Sequence, residues 1–222
     1  MATQSGGDKV TKYIVIGMVS LVLVVGVLFS VLSHKTSQNA SLPNGASKAQ
    51  GYGIVFNGEL KGVPVVDIWE DFQCPVCQAF EKLNGDYIEK LITTKKATFI
   101  YHPLSFIGPD SVLLANAAAC AADENQFLPY HRFLYQNQQP ENSGKWSSTV
   151  LDSSGVAVGI ASAKFSACVN SNKYTAWVGN VENDGAQKTI NSTPTVFVNG
   201  KEINRKTQYF DAAAFASVIE KG

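Results

Sequence analysis

The chain has 222 residues, about 45% of them hydrophobic, and its 18 basic residues balance 18 acidic ones. Zero formal net charge argues against a nucleic-acid binder, which would carry a basic patch. Only Arg132 and Arg205 supply the guanidinium suited to bidentate phosphate and base contacts. The apolar content excludes a disordered chain. The charged fraction of 16% falls below the roughly 25% typical of soluble domains, owing to an apolar N-terminal segment and a surface rich in Ser, Thr, Asn and Gln.

Residues 1–12 form a short polar tail. From Tyr13 to Ser33 the sequence carries no charge, and at about 1.5 Å per helical residue it spans the roughly 30 Å hydrocarbon core of a bilayer. It is the one stretch of its kind, so a single transmembrane anchor is expected. A cleaved secretory signal is the competing reading. Signal cores are shorter, however, and the best cleavage point, after Ser33, has Val31 where a small residue belongs. Lysines flank both ends, so the positive-inside rule barely discriminates. The short N-terminal tail is the part more easily left in the cytoplasm. Residues 34–50 (HKTSQNASLPNGASKAQ) read as a flexible tether, which leaves 51–222 for one globular domain.

Within that domain Ile54–Phe56 and Val63–Trp69 are apolar and β-branched, separated by turn residues, and predict two strands, the second a near-continuous buried run. From Pro75 to about Thr93 the apolar period changes to three or four, as in a helix, with Pro75 at the first helical position where its missing N–H costs nothing. Ala97–Tyr101 predicts a strand stopped by His102-Pro103. Ser111–Asp123 reads as an alanine-rich amphipathic helix, Gln126–Gln138 as another, and Trp146–Leu151 as a short helical turn. Ala161–Asn170 and Tyr174–Ile190 add two helices. Thr195–Val198 is a strand, Asn199-Gly200 a hairpin signal, Lys201–Asn204 its return, and Asp211–Lys221 a closing helix capped by Asp211. A minimal β/α domain of this order needs about 100 residues. The excess is one contiguous helical block near 107–190, so an α/β sheet with an inserted helical subdomain is expected.

Four cysteines are present: Cys74, Cys77, Cys120 and Cys168. Cys74-Pro-Val-Cys77 follows a buried strand and opens a helix. The unpaired N–H groups and positive dipole end of a helix N-terminus stabilise a thiolate there. Cys74 is therefore the expected nucleophile, with Cys77, one turn inside, as the resolving thiol. A zinc site would want a second cysteine or histidine pair, and haem attachment would want His where Gln78 stands. An inert disulfide clip is the remaining alternative. Cys120 and Cys168 lie in two helices of the inserted block. In an oxidising compartment a structural disulfide between them is expected, with two free buried thiols as the alternative. No Ser-His-Asp or HExxH arrangement occurs. His102 reads as a packing or partly exposed histidine, His131 as structural, and Glu70 and Asp71 as solvated charges at a strand end.

The residues Asp71-Phe-Gln-Cys-Pro-Val-Cys77 with Phe80-Glu81, and Ser192-Thr-Pro-Thr-Val-Phe-Val-Asn-Gly200, together resemble the thioredoxin-fold disulfide oxidoreductases of the DsbA type, especially the membrane-anchored actinobacterial forms. Ala118–Cys120 and Phe127–Leu134 are similar to that family's insertion helices. The resemblance covers about residues 51–222. It implies a thioredoxin-like fold with an inserted helical subdomain and a cis Pro194 beside the Cys pair. There the Thr193 backbone would pair with an extended substrate. It implies an extracytoplasmic enzyme that introduces disulfides into exported polypeptides with free thiols. Its only redox group would be the Cys74/Cys77 pair, with no cofactor or metal. A quinone-linked membrane oxidase, vitamin K epoxide reductase-like or DsbB-like, would re-oxidise it. Val76 stands where strongly oxidising members carry His, and Ile68 where reductases keep a buried acid; Asp67 beside it would face the other side of the strand. A reductase or isomerase, for instance in cytochrome c maturation, and a non-catalytic tethered binding module are the alternative readings.

Overall fold

The computed structural model describes residues 13–17 and 40–221. Residues 13–17 are helical, and the rest of the expected anchor, 18–33, lies outside the described residues. Among the described residues no helix is long and apolar enough to cross a membrane. The chain divides into two units, at residue 40, and the following concerns the second.

Its strands are β1 (Ile54–Phe56), β2 (Val65–Glu70), β3 (Thr98–Pro103), β4 (Thr195–Val198) and β5 (Lys201–Glu202). Its helices are α1 (Pro75–Thr93), α2 (Pro109–Asp123), α3 (Phe127–Gln136), α4 (Ser148–Ala157), α5 (Ala163–Asn170), α6 (Thr175–Gln187) and α7 (Ala212–Glu220). The sheet order is β1-β3-β2-β4-β5. β2 and β3 run parallel, with Trp69 opposite His102, and the other neighbours are antiparallel. A parallel pair needs a crossover, and α1 supplies it. β3 continues through His102-Pro103, beyond the stop expected from the proline. Pairing with β1 ends at Tyr101, so the missing Pro103 N–H forfeits no ladder bond on that side.

Period-two alternation sends Ile68 and Glu70 to one face of β2 and Asp67 and Trp69 to the other. On the Trp69 face lies α6, whose Gly185 would bring a Cβ to 3.2 Å from the indole. The Glu70 face carries α1 and α3. Helices α2 to α6 form the inserted block, with α2 packed against each of the other four. The expected amphipathicity of α2 is corrected: every residue from Leu114 to Ala122 is buried, because a run of small alanines lets neighbours close in on all sides. The expected turn at Trp146–Leu151 likewise gives way to a longer helix, α4, which starts at Ser148 with Ser147 as its cap. Gly155 inside it is tolerated because the Phe165 ring sits 2.5 Å from where a Cβ would stand.

Residues 34–39 of the expected tether lie outside the described residues, and residues 40–50 are a further correction, since they are not tether. Asn44 N donates to Asp123 Oδ1 at 3.0 Å, Val55 N to Gly45 O at 2.9 Å, and Ala46 bridges Ile54. Pro43 is buried, with Leu42 packed against the core. Asn199 and Gly200 both take positive φ, at 50° and 76°, as the tight hairpin requires. Asp211 caps α7 by accepting from Ala214 N at 2.9 Å.

Candidate active site

Cys74 occupies the N-cap of α1, in extended conformation, with Pro75 as the first helical residue. Its N–H donates to Asp71 O at 2.9 Å, closing the turn between β2 and the helix. The peptide between Thr193 and Pro194 is cis, and the Cys74 thiol lies 3.6 Å from Thr193 O. Cys74, Thr193 and Pro194, the expected nucleophile and substrate-facing pair, therefore meet at one place although 119 residues separate the first two. Cys74 retains 6% exposure and Cys77 none; both are free thiols.

The two sulfurs are electrostatically unequal. Cys74 is lowered from its ordinary value of about 9 to about 6, chiefly by the Cys77 thiol hydrogen bond. Burial opposes the shift; Thr193 and the N–H groups of Cys77 and Val76 assist it. Burial pushes Cys77 well above its usual value, and the neighbouring Cys74 adds to the rise. One sulfur is thus a ready nucleophile at neutral pH and the other a protected thiol. Alkylation of the reduced protein by iodoacetamide is expected to rise through pH 6 and level off by about pH 7.5, with Cys74 the modified residue. A midpoint near 8.5, the value of a free thiol, would remove the thiolate argument. The sign for stability follows. A thiol lower in the folded state stabilises the reduced fold above its unfolded pKa, and that contribution is lost as pH falls through about 6.

The loop between β2 and Cys74 is held from the inserted block. Asp71, fully buried, accepts from Gln73 N at 2.8 Å, Ser111 Oγ at 2.7 Å and Ile107 N at 2.9 Å. Burial raises its pKa while these bonds pull it down. Gln138 Nε2 donates to Phe72 O at 2.8 Å and to Cys74 O at 3.0 Å, and Tyr135 Oη donates to Asp71 O at 3.2 Å. The carbonyls that a sharp strand-to-helix turn would orphan are satisfied in this way. Gln138 and Tyr135 carry no sequence signal for that role, since both read as ordinary polar positions of the expected Gln126–Gln138 helix.

Glu70 and Asp71 correct the expectation of solvated charges: both are 0% exposed. His131, expected to be structural, is buried and hydrogen-bonded through Nε2 to Glu70 Oε1. His102 is a packing histidine, stacked on Trp69 with ring centroids 3.7 Å apart and 3.4 Å from Asp67 Oδ1. Asp67 therefore lies on the face expected for it, away from α1. Cys120 and Cys168 are joined by a disulfide, with Cα atoms 5.8 Å apart, linking α2 to α5.

A family model described as Thioredoxin matches residues 50–220. A Rickettsia prowazekii protein named as a protein-disulfide oxidoreductase is 27% identical over 150 residues, 66% of this chain and 54% of that one. The chain thus spans about half that relative's length. MdbA of Actinomyces oris, a thiol-disulfide oxidoreductase, superposes with a TM-score of 0.70 at 24% identity, covering 82% of this chain and 92% of that one. The reduced disulfide bond oxidoreductase DsbG of Mycobacterium tuberculosis superposes with a TM-score of 0.65 at 28% identity, covering 78% and 88%. Both neighbours share the fold of this chain over most of their length, and both are named for disulfide chemistry. The family match over most of its length places the chain in the thioredoxin family, with the fold of the DsbA- and MdbA-type disulfide oxidoreductases.

Proposed function

We propose that this chain is a membrane-anchored, extracytoplasmic thiol–disulfide oxidoreductase that introduces disulfides into exported polypeptides. The observation that carries the proposal is the unequal pair: Cys74 lowered to about 6, beside Thr193 and the cis Pro194, above a buried Cys77 held well above its usual value. A substrate thiolate attacks Cys74 Sγ of the oxidised pair, the Cys74–Cys77 bond breaks, and Cys77 leaves with the electron pair. A second substrate thiolate then attacks the substrate sulfur of the mixed disulfide and releases Cys74 as the stabilised thiolate. The substrate is oxidised by two electrons and the enzyme pair reduced by two. The Cys120–Cys168 disulfide supports an oxidising compartment. Re-oxidation would fall to a quinone-linked membrane oxidase, vitamin K epoxide reductase-like or DsbB-like.

Direction is read from the reduction potential. A Cys74 pKa of about 6 lies between the values near 7 and 3.5 of thioredoxin and the strongest oxidants. Their potentials are about −270 and −120 mV, and one unit of thiol stabilisation is worth about 30 mV. Equilibrating the full-length protein with glutathione buffers is expected to give roughly −200 to −240 mV, a donor to clients whose structural disulfides lie below about −300 mV. A value at or below −270 mV would make the chain a reductase fed by an electron-delivering membrane protein.

A further inference from the structure

Thr193 meets an extended substrate only if the short segment that carries it is held in register with Cys74. That segment joins α6 to β4 and has no helix or strand of its own. Its turn is closed from within, because Thr195 Oγ1 donates to Ser192 O at 2.7 Å. Thr193 and Pro194 lie between the two bonded residues. From outside the segment is held by Arg205, on the stretch between β5 and α7. Arg205 Nη2 donates to Ser192 Oγ at 2.7 Å and to Thr195 Oγ1 at 3.1 Å. One nitrogen thus holds the residues on either side of Thr193-Pro194.

The chain's two arginines are used differently. Arg132 meets carboxylates, those of Asp86 and Glu89. Among the described residues Arg205 pairs with no carboxylate and bonds two neutral hydroxyls instead. Its guanidinium carbon lies 5.6 Å from the centre of the Tyr209 ring, within cation–π range. Burial, the largest influence on the Tyr209 phenol, raises it above its usual value, so the ring meets the guanidinium uncharged. A planar guanidinium serves two acceptors and a ring at once, which a flexible ammonium does not.

The stretch that carries Arg205 is itself fixed. Asn204 Oδ1 accepts from Lys206 N at 2.9 Å and from Thr207 N at 3.2 Å, and Asn204 N donates to Gln208 Oε1 at 2.6 Å. Tyr209 Oη accepts from Val196 N at 2.7 Å, one residue beyond Thr195. Tyr209 O accepts from Asn84 Nδ2 of α1 at 2.9 Å, and its ring meets Phe80 of α1 edge-on at 5.6 Å. Residues 204–209 therefore touch both halves of the site, the helix that begins at Cys74 and the segment that presents Thr193.

We propose that Arg205 is a positioning residue for polypeptide substrates. By holding Ser192 and Thr195 it sets the Thr193 backbone in register to pair with the extended chain around a client's reacting cysteine. The proposal rests on the thiol–disulfide exchange reading and deepens it, since it assigns to Arg205 the preference for an extended polypeptide over a small thiol. Arg205 acts through the segment and not on the sulfurs, for the Cys74 thiol is lowered chiefly by Cys77. A small thiol needs only the sulfur of Cys74, whereas an extended peptide needs the Thr193 backbone as well. In both reactions two substrate thiols lose two electrons and two protons and the Cys74/Cys77 disulfide gains them.

The test mixes full-length oxidised protein with an extended two-cysteine peptide or with 2-mercaptoethanol. Acid quenching and alkylation then follow the reduction of the Cys74/Cys77 pair. Arg205→Ala is expected to raise the half-saturating peptide concentration about tenfold, as the loss of hydrogen bonds from a charged donor does. The limiting rate with peptide and the rate with 2-mercaptoethanol should stay within about twofold, the pattern of lost binding rather than lost chemistry. Arg205→Lys, which keeps the charge and reaches one hydroxyl, should recover part of the loss. Ser192→Ala should raise the half-saturating concentration about threefold, and by less in the Arg205→Ala background, because the two side chains share one bond. An unchanged half-saturating concentration in Arg205→Ala overturns the proposal. So does an equal slowing with peptide and 2-mercaptoethanol, the mark of a merely structural role. If Arg205→Ala does not fold, Ser192→Ala and Arg205→Lys carry the test, and wild-type saturation in both overturns it. Wild-type protein that oxidises 2-mercaptoethanol but does not saturate with peptide overturns the positioning role and leaves the exchange reading standing. Wild-type protein that oxidises neither overturns both.

Discussion

Cys74→Ser is expected to lower disulfide exchange roughly a thousandfold or more, as removal of a covalent nucleophile does, while Cys77→Ala accumulates stable mixed disulfides through Cys74. The reasoning is geometric before it is electrostatic. Cys74 is the sulfur that reaches the surface, 3.6 Å from the Thr193 carbonyl, and Cys77 is wholly enclosed. A serine hydroxyl at the helix N-cap ionises far too weakly to replace a thiolate lowered to about 6. Alanine at position 77 removes the resolving step alone. It also removes the largest single influence lowering Cys74, the Cys77 hydrogen bond. The trap variant should therefore react more slowly than wild type below about pH 8 and approach it at higher pH. Insulin reduction measures the first variant, and non-reducing electrophoresis of Cys77→Ala expressed in an exporting host measures the second. Adducts that survive Cys74→Ser in the Cys77→Ala background would show that another group is the nucleophile. An empty trap would favour a binding module that kept the fold and lost the redox cycle.

Removing the second cysteine pair is expected to act on stability instead. The Cys120–Cys168 bridge spans 48 residues of sequence, and in the chain-entropy model a loop of that size contributes about 4 kcal/mol. For a domain of this size that corresponds to a fall of roughly 10 °C in Tm. Both cysteines must be changed together, because a single substitution leaves an unpaired thiol that can enter disulfide exchange. The natural choice is Cys120→Ala with Cys168→Ala, since α2 is already alanine-rich around Cys120, whose sulfur lies 4.0 Å from Asn116 Nδ2. The bridge ties α2 to α5. Neither helix supplies a group that sets the Cys74 pKa, so the alkylation midpoint should stay near pH 6. Thermal unfolding of the doubly substituted protein at the wild-type Tm would mean that the helical block is held by packing alone. A displaced alkylation midpoint would mean that the block's stability and the loop it holds are coupled.

That loop shows where local reading stops. Hydrophobic period and turn chemistry act within a few residues, and they sufficed for β2, for α1 with Pro75 at its start, for the Asn199-Gly200 hairpin and for the helical block. The motif itself was legible for the same reason: a CPVC at a strand-to-helix junction has its electrostatic consequence built in by the helix end. Burial of a charge has no local signature. Glu70 and Asp71 read as solvated because they are acidic residues at a strand end. They are buried because α3 brings His131 and Tyr135, and α2 brings Ser111, from 40 or more residues away. Residues 40–50 looked like tether because they are polar and small, and they are ordered because Asp123 and Asn125 accept their hydrogen bonds.

By itself, then, the sequence determined the order of elements, the inserted block, the cysteine pair at the strand-to-helix junction and which of the two sulfurs stands at the helix end. Only the tertiary structure decided that Thr193 and the cis Pro194 meet Cys74, that Gln138 and Tyr135 hold its loop, and that Glu70, Glu81 and His131 come together. The physical reason is one of range. Backbone preference and side-chain period are set by neighbours in the chain, whereas desolvation and charge pairing depend on atoms the fold brings from elsewhere.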